Sequence, residues 1–132
     1  SPQPRRVTNG VDSSRVAMLL AVLERRAGIS LSDKDVYVST VGGMRITEPA
    51  ADLAIAIAIA SAVSDKPVST KVAAFGEISL SGEVRGVANL SQRTNEASRL
   101  GHKIIIDSTS GQLKNALTQA LAQSDQSQPE AN

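Results

Sequence analysis

The side chains that could support acid–base or metal chemistry in this sequence are few. The chain has no cysteine and one histidine, so a cysteine-based zinc site is excluded within it and His102 has no second histidine to pair with. Glu77 and Glu83 flank a predicted hairpin, and paired carboxylates can act as acid and base, but charged residues at hairpin edges are usually solvated. We therefore expect ordinary structural or surface roles for all three side chains.

A glycine pair, Gly42-Gly43, precedes an apolar segment in the way that phosphate-binding loops precede helices. The sequence has no G-x-x-x-x-G-K-[ST] motif, and the segment lacks G-x-G-x-x-G. A turn that needs positive φ angles explains the pair better than a phosphate site does.

Basic residues are more informative, because they are unevenly distributed. The chain has 14 basic and 13 acidic residues, and a net charge of +1 does not by itself indicate a nucleic-acid-binding protein. Residues 1–28 carry five arginines and two acidic residues (+3), whereas the remainder carries nine basic and eleven acidic residues (−2). Such a cluster usually forms a solvated helix face, and phosphate contact is the alternative. One Phe, one Tyr and no Trp argue against recognition of single strands by aromatic stacking.

The chain has 132 residues, which suffice for a single domain with a hydrophobic core. One apolar segment is expected to form the centre of that core and to position the candidate residues around it. Thr47 is predicted to cap a helix with Pro49 in its first turn and Asp52 near its positive dipole end. The apolar run from Ala50 to Val63 alternates isoleucine with alanine, which predicts a central helix buried on all sides rather than a strand. A membrane span is disfavoured, because the run is shorter than about 20 residues and Asp52 interrupts its start.

The other predicted elements give an α/β (α+β) fold, a sandwich of helices on a small mixed sheet. Asn89 and Gln92 have the spacing of a capping box.

We expect a linker over residues 1–10, a domain over 11–124 and a disordered tail over 125–132. The absence of a visible signal peptide makes a cytoplasmic location the default. The abrupt start suggests a fragment of a longer protein. Asp12 or Ser13 is predicted to cap a helix that runs to about Ala27 and is ended by Gly28. The other predicted elements are strands 35–41, 71–75 and 102–107, a hairpin 76–87, and helices 90–100 and 110–123.

Two motifs read together carry a specific resemblance. TEPAADLAIAIAIASAVSDKPV followed by FGEISLSGEVRGVANLSQRTNEASRLG resembles the proteolytic domain of the Lon family, which has a GEI-x-L-x-G-x-V hairpin at the corresponding place. The match covers roughly residues 11–106. Within it, NGVDSSRVAMLLAVLERRAGISL, VGGMRITEPAADLA and FGEISLSGEVR are more similar to the Lon-like C-terminal domain of the RadA (Sms) family of bacterial recombination proteins.

The resemblance to Lon-type peptidases predicts two catalytic side chains, and their positions can be checked in this sequence. A Lon-type peptidase uses a serine hydroxyl as nucleophile and a lysine amine as base. Aligning the motifs places Ala50 at the serine position and Arg93 at the lysine position, and neither side chain can do that chemistry. The resemblance therefore implies a scaffold without catalytic residues. The alternative is a divergent Ser-Lys peptidase with a relocated pair drawn from Ser39, Ser79, Ser81, Ser91, Lys66, Lys71 and Lys103.

The RadA resemblance implies a domain of a larger DNA recombination and repair ATPase that assembles as a hexamer and promotes branch migration. It implies no cofactor in this domain, with ATP, Mg and Zn bound by upstream domains, and no membrane partner. The domain would support assembly and contact DNA, or serve assembly alone. Arg45 and Arg93 could instead form ion pairs with Glu48 or Asp52. The candidate DNA-contacting residues are Arg5, Arg6, Arg15, Arg45, Arg85 and Arg93.

Overall fold

The computed structural model describes residues 3–122 and 125, and it confirms the α/β fold class. Short 3-10 turns, Val41–Gly43, Pro49–Ala51 and Ser108–Ser110, lie between the main elements. The helices are α1 (Ser13–Ala27), α2 (Asp52–Ser64), α3 (Leu90–Arg99) and α4 (Leu113–Leu121), and the strands are β1 (Arg6–Asn9), β2 (Val36–Ser39), β3 (Val72–Ala74), β4 (Glu77–Ile78), β5 (Val84–Arg85) and β6 (Ile104–Ile106).

The strands of the described residues form three two-stranded ladders rather than one sheet. β1 and β2 are parallel, with Val7 beside Tyr37, and β3 and β6 are also parallel. β4 and β5 form the predicted antiparallel hairpin. Strands of two to four residues offer too few ladder hydrogen bonds to build a broad sheet, so helices supply most of the core.

The first helix agrees with its predicted bounds, but no side-chain hydrogen bond from Asp12 or Ser13 caps it. α1 begins at Ser13 and ends at Ala27, and Gly28 adopts φ 70°, the left-handed conformation that ends helices. The predicted apolar face is buried, because residues three and four apart share one side of a helix. That face comprises Val16, Leu19, Leu20 and Leu23, together with Val22.

The central helix is confirmed in position, but two details of its prediction are wrong. Thr47 is not its cap: the 3-10 turn that opens with Pro49 precedes α2, and no side chain caps either element. The helix is also not buried on all sides, since Ala54, Ala58 and Ala62 are exposed. α2 packs on α1, α4 and β4, which leaves the opposite alanine face uncovered.

Two further expectations are corrected. Arg6–Asn9, expected within a linker over residues 1–10, form β1, because their partner β2 lies some thirty residues away and is invisible to local patterns. The predicted capping box before α3 is wrong, because Asn89 has φ 59° and its side chain makes no cap hydrogen bond.

The chain termini are described only in part. Of the tail expected over 125–132, residues 126–132 lie outside the described residues. Asp125 accepts hydrogen bonds from Ser69 and Thr70, and these bonds lower the pKa of its carboxyl group. In the part of the chain described, no helix combines the length and the apolar character needed to span a bilayer.

Candidate functional site

An open cleft of about 680 Å³ lies at the start of α2. The end of β1 and the residues after it form one wall, and residues 43–48 form the other. Gly10 holds the walls together at φ 85°: a Cβ there would lie 2.2 Å from Thr40 Oγ1 and 2.5 Å from the Met44 carbonyl oxygen. The Ile46 N–H donates to the Gly10 carbonyl at 2.8 Å. The shape of the cleft therefore depends on a glycine at position 10.

A buried carboxylate lies at the base of this cleft. Asp52 is 1% exposed, and its oxygens accept from Arg15 Nε at 2.7 Å, from Arg15 Nη2 and from the Ile78 N–H at 3.0 Å. Arg15 Nη2 also lies 3.4 Å from Glu77 Oε2. The hydrogen bond with Asp52 raises the pKa of the Arg15 guanidinium, so this cation is held in place by internal anions. Arg15 thus joins α1 to α2 and to the hairpin.

Main-chain atoms close the N-terminus of α2. The Leu53 N–H donates to the Gly76 carbonyl at 3.0 Å, and the Gly76 N–H donates to the Ala50 carbonyl at 2.9 Å. A Cβ at position 76 would lie 2.6 Å from Val84 Cγ1, so glycine at this position lets the chain pass close to that β5 side chain. A free helix N-terminus attracts anions through its unpaired N–H groups, but the Leu53 N–H is already used. The hairpin therefore takes the place that a bound anion would need.

Arg93 reaches the same end of α2 from α3. Its Nη2 donates to Glu48 Oε2 at 2.8 Å, and its Nε donates to the Ala88 carbonyl at 2.9 Å. Glu48 stands two residues before Ala50, so the side chain at position 93 extends to the turn that contains position 50. The ion-pair alternative is confirmed for Arg93. For Arg45 it is wrong within the described residues, where this exposed side chain has no ion pair with Glu48 or Asp52.

Arg5 and Arg6 lie away from the cleft. Arg6 precedes Gly10 by four strand residues, about 13 Å at the usual rise. Its guanidinium donates to the Leu31 carbonyl at 2.9 Å and to the Lys34 carbonyl, which fixes the loop before β2. The Arg5 side chain is exposed, while its N–H donates to Asp35.

Arg85 is exposed on β5, beside a shallow groove that it shares with Arg15 and Leu80. The candidate arginines are thus divided between engaged and exposed groups. The structure uses Arg6, Arg15 and Arg93 in internal contacts, and it leaves Arg5, Arg45 and Arg85 without an ion pair among the described residues. The cleft itself carries two arginines against three carboxylates, so it is not strongly positive.

A second group of cations lies near the C-termini of α1 and α2 and the start of α4, and sequence reasoning did not identify it as a group. Lys66 and Lys114 line a groove of about 430 Å³ that has no acidic side chain in its lining, and Arg25 and Arg26 stand in the last turn of α1. The negative dipole ends of α1 and α2 favour Arg25, Arg26 and Lys66, whereas Lys114 lies in the first turn of α4, where the dipole does not favour a cation. The paired arginines just before Gly28 were the available signal.

The residues named for a relocated peptidase pair are not brought together. Among the described side chains, no serine hydroxyl is hydrogen-bonded to a lysine amine, and the Ser79 and Ser81 hydroxyls bond each other at 2.9 Å. His102 Nδ1 donates to the Thr70 carbonyl at 2.6 Å, which is a structural contact. In the described part of the chain, no group of three or more metal-ligating side chains is positioned to hold a metal ion.

Comparisons with known proteins place this chain among relatives. Residues 11–110 match the family model described as subunit ChlI of Mg-chelatase. DNA repair protein RadA of Streptococcus pyogenes is 50% identical over 97 residues, 74% of this chain and 21% of that protein. RadA of Mycobacterium tuberculosis is 47% identical and RadA of Halalkalibacterium halodurans 48% identical, each over 103 residues, 78% of this chain and 22% of the relative. The chain therefore spans about a fifth of the length of the curated relatives it matches.

Proposed function

The chain belongs to the family described as subunit ChlI of Mg-chelatase and is homologous to a region of DNA repair protein RadA, and from this premise we propose that it is a non-catalytic, Lon-like domain of a RadA-type recombination and repair ATPase. The observation that carries the proposal is identity near one half over about three quarters of the chain. In such a protein the domain supports hexamer assembly and contacts DNA during branch migration in the cytoplasm. ATP, Mg and Zn are bound by other segments, and the residues of this domain hold none of them.

The contacts of positions 50 and 93 support a scaffold rather than a peptidase. Ala50 offers a methyl group in place of a nucleophile, and its carbonyl binds the Gly76 N–H. Arg93 is held by Glu48 and by the Ala88 carbonyl, and a guanidinium stays protonated and cannot act as a base. Both positions therefore stabilise the junction of α2, α3 and the hairpin.

Catalysis is tested by incubating the purified chain with an unfolded protein and following its cleavage. We expect no cleavage above background. Cleavage that survives repurification and is abolished by a serine-directed acylating reagent would overturn the scaffold assignment.

Because some candidate arginines are used in internal contacts and others are not, the proposal of DNA contact can be assigned to particular residues. A cation that is free of internal partners can neutralise a phosphate without breaking the fold, whereas a cation in a structural ion pair must first lose that pair. Arg45 and Arg85 meet the first condition among the described residues, because both are exposed and neither forms an ion pair there. Arg5 is the third exposed member. Arg15 and Arg93 are held in structural ion pairs, with Asp52 and Glu48 respectively, so they position the elements around the cleft rather than contact phosphate.

The salt dependence of DNA binding tests this assignment. For Arg45→Ala combined with Arg85→Ala, we expect the slope of log affinity against log salt to fall by about 2, near one unit for each lost phosphate contact, with affinity reduced similarly across sequences. Arg99→Ala is the matched control, since it removes a cation paired with Glu96 on an exposed helix face. An unchanged slope in the double variant, or an equal fall in the control, would contradict the proposal.

A further inference from the structure

The loop between β2 and the start of α2 exposes two apolar side chains at its tip. Residues 40–46 of this loop have the sequence TVGGMRI. Val41 is 90% exposed, the highest value among the large apolar side chains of the described residues, and Met44 is 62% exposed. Neither side chain belongs to the hydrophobic core or packs against it. Single exposed apolar side chains are common, but the fold gains nothing from two of them in one short loop, which indicates contact with a partner.

The backbone at both ends of this loop is anchored. The Thr40 N–H donates to the Asn9 carbonyl at 3.0 Å, and the Ile46 N–H donates to the Gly10 carbonyl at 2.8 Å. The Thr40 hydroxyl also donates to the Met44 carbonyl, which closes the loop across its base. A loop that is fixed at both ends can hold its tip against a partner with a small loss of conformational entropy.

The glycine pair makes the tip of the loop narrow. Gly42 has φ 71° and Gly43 has φ 73°, so both adopt the left-handed conformation, and the pair is confirmed as a turn with positive φ angles. A Cβ atom at either position would have nothing within 4 Å. The space around the turn is therefore open to a partner.

A cation follows directly after Met44. Arg45 is exposed, forms no ion pair among the described residues and lines the cleft, whereas Val41 and Met44 do not line it. Arg45 is one of the arginines proposed to contact phosphate, and consecutive Cα atoms are about 3.8 Å apart. A phosphate bound by Arg45 would therefore place the tip of the loop at the surface of the DNA.

Apolar side chains at a DNA surface act on the bases rather than on the phosphates. Proteins that bend or open a duplex insert apolar side chains such as Leu, Ile or Met between base steps, while basic residues hold neighbouring phosphates. Recognition of a single strand would instead use aromatic rings for stacking, and this loop has none. Unstacking costs least where a base already lacks a stacked or paired neighbour, as at a fork or a branch. The composition of the loop therefore fits the base pair at a branch point.

We propose that the loop of residues 40–46 is a wedge that places Val41 and Met44 against the last base pair at a DNA branch point, while Arg45 binds the adjacent phosphate. This role rests on the proposed contact with DNA and specifies the kind of DNA that the domain recognises, a duplex with a fork or branch. The anchored base of the loop resists the base pair that the tip opens, and the narrow glycine turn lets the tip approach between the separating strands.

Forked DNA with 2-aminopurine at its last base pair tests this role, because the emission of this base analogue rises when the base unstacks. The purified chain is titrated against this DNA and against a continuous duplex of the same sequence, and binding is followed by fluorescence anisotropy. We expect tighter binding to the forked DNA. We also expect emission to rise when the analogue lies at the fork and to stay constant when it lies inside the continuous duplex.

Val41→Ser combined with Met44→Gln removes the apolar tip and leaves Arg45 in place. We expect the preference for forked DNA to fall about tenfold and the rise in emission to disappear, because two apolar side chains lose their burial against bases. Binding to the continuous duplex and its salt dependence should not change. Leu100→Gln is the matched control, since Leu100 is 60% exposed and follows the last residue of α3. Arg45→Ala should weaken binding to both DNAs.

Failure of the wedge and failure of the proposed DNA contact give different results. If the chain binds both DNAs equally, or if Val41→Ser with Met44→Gln retains the rise in emission, the wedge is contradicted while the DNA contact stands. If the chain binds neither DNA, the DNA contact fails and the wedge fails with it. If the same variant lowers the mass of an assembly in sedimentation velocity and leaves the DNA preference unchanged, the loop contacts a neighbouring copy instead. Thermal unfolding of the variant should match the unmodified chain, since neither side chain packs in the core.

Discussion

The polar groups at the cleft beside the start of α2 are paired inside the molecule, whereas main-chain groups at the outer edge of the β1–β2 ladder are not paired within the described residues. At the cleft, the buried Asp52 carboxylate is surrounded by donors from Arg15 and from the Ile78 N–H, and Arg93 closes on Glu48. At the ladder, the main-chain groups of Tyr37 face outward with no partner in the described residues. Polar groups paired inside a molecule stabilise its fold, and unpaired ones are free to bind a partner. The paired charges of the cleft around Asp52 are therefore structural, whereas the outer edge of β2 has no strand partner among the described residues.

Asp52→Ala should have the largest effect, and it tests the first half of this comparison. The substitution leaves the Arg15 cation and the Ile78 N–H without their buried acceptor, so we expect a loss of about 3 kcal/mol in the free energy of unfolding. Urea denaturation measures it. Asp33→Ala is the control, because that carboxylate is 77% exposed and should contribute less than about 0.5 kcal/mol. A loss below about 1 kcal/mol for Asp52→Ala would show that the cleft is not held together by this carboxylate.

Gly10→Ala should have the next largest effect, because Gly10 joins the ladder to the cleft. A Cβ there meets Thr40 and the Met44 carbonyl, and the backbone has φ 85°, so strain and overpacking together should cost about 2–3 kcal/mol. Gly28→Ala is matched in backbone conformation, but nothing lies within 4 Å of its Cβ position, and about 1 kcal/mol is expected. Thermal unfolding of the two variants compares them. Equal losses for Gly10→Ala and Gly28→Ala would mean that the close packing between the ladder and the cleft contributes nothing to the free energy of unfolding.

Substitution of Glu24 should have the smallest effect of the three changes, and it tests a contact with the loop that leads into β2. Its carboxylate accepts from the Leu31 and Ser32 N–H groups at 2.9 Å each, and the bond from Leu31 is the main cause of its lowered pKa. A lowered folded pKa stabilises the protein above the ordinary value near 4.5, and this contribution disappears as the pH falls through the folded pKa.

The pH dependence of thermal unfolding for Glu24→Gln against the unmodified chain isolates this contribution. We expect the difference between the two proteins to be present at neutral pH and to shrink below about pH 4.5. A difference that is constant across this range would show that the charge of Glu24 does not act on the loop.

Much of the helical architecture could be predicted from the sequence, because the signals are local. The apolar spacing from Val16 to Leu23 and the glycine at position 28 defined α1, and the run after Pro49 defined α2. Side-chain caps were predicted at Asp12 or Ser13, at Thr47 and at Asn89, and none of them forms. At α2 a distant main-chain carbonyl, that of Gly76, takes the role of the cap for Leu53.

The sequence alone determined the α/β class, the bounds of the main helices and the candidate arginines, because helix periodicity and residue type are properties of neighbouring positions. Tertiary structure decided which arginines are used internally, since Arg15 meets Asp52 across 37 positions and Arg93 meets Glu48 across 45. It also decided that β1 pairs with β2 and that the other edge of β2 has no partner strand among the described residues. The physical reason is that a hydrogen bond or an ion pair depends on distance in space, and a folded chain brings together groups whose separation in sequence carries no signal.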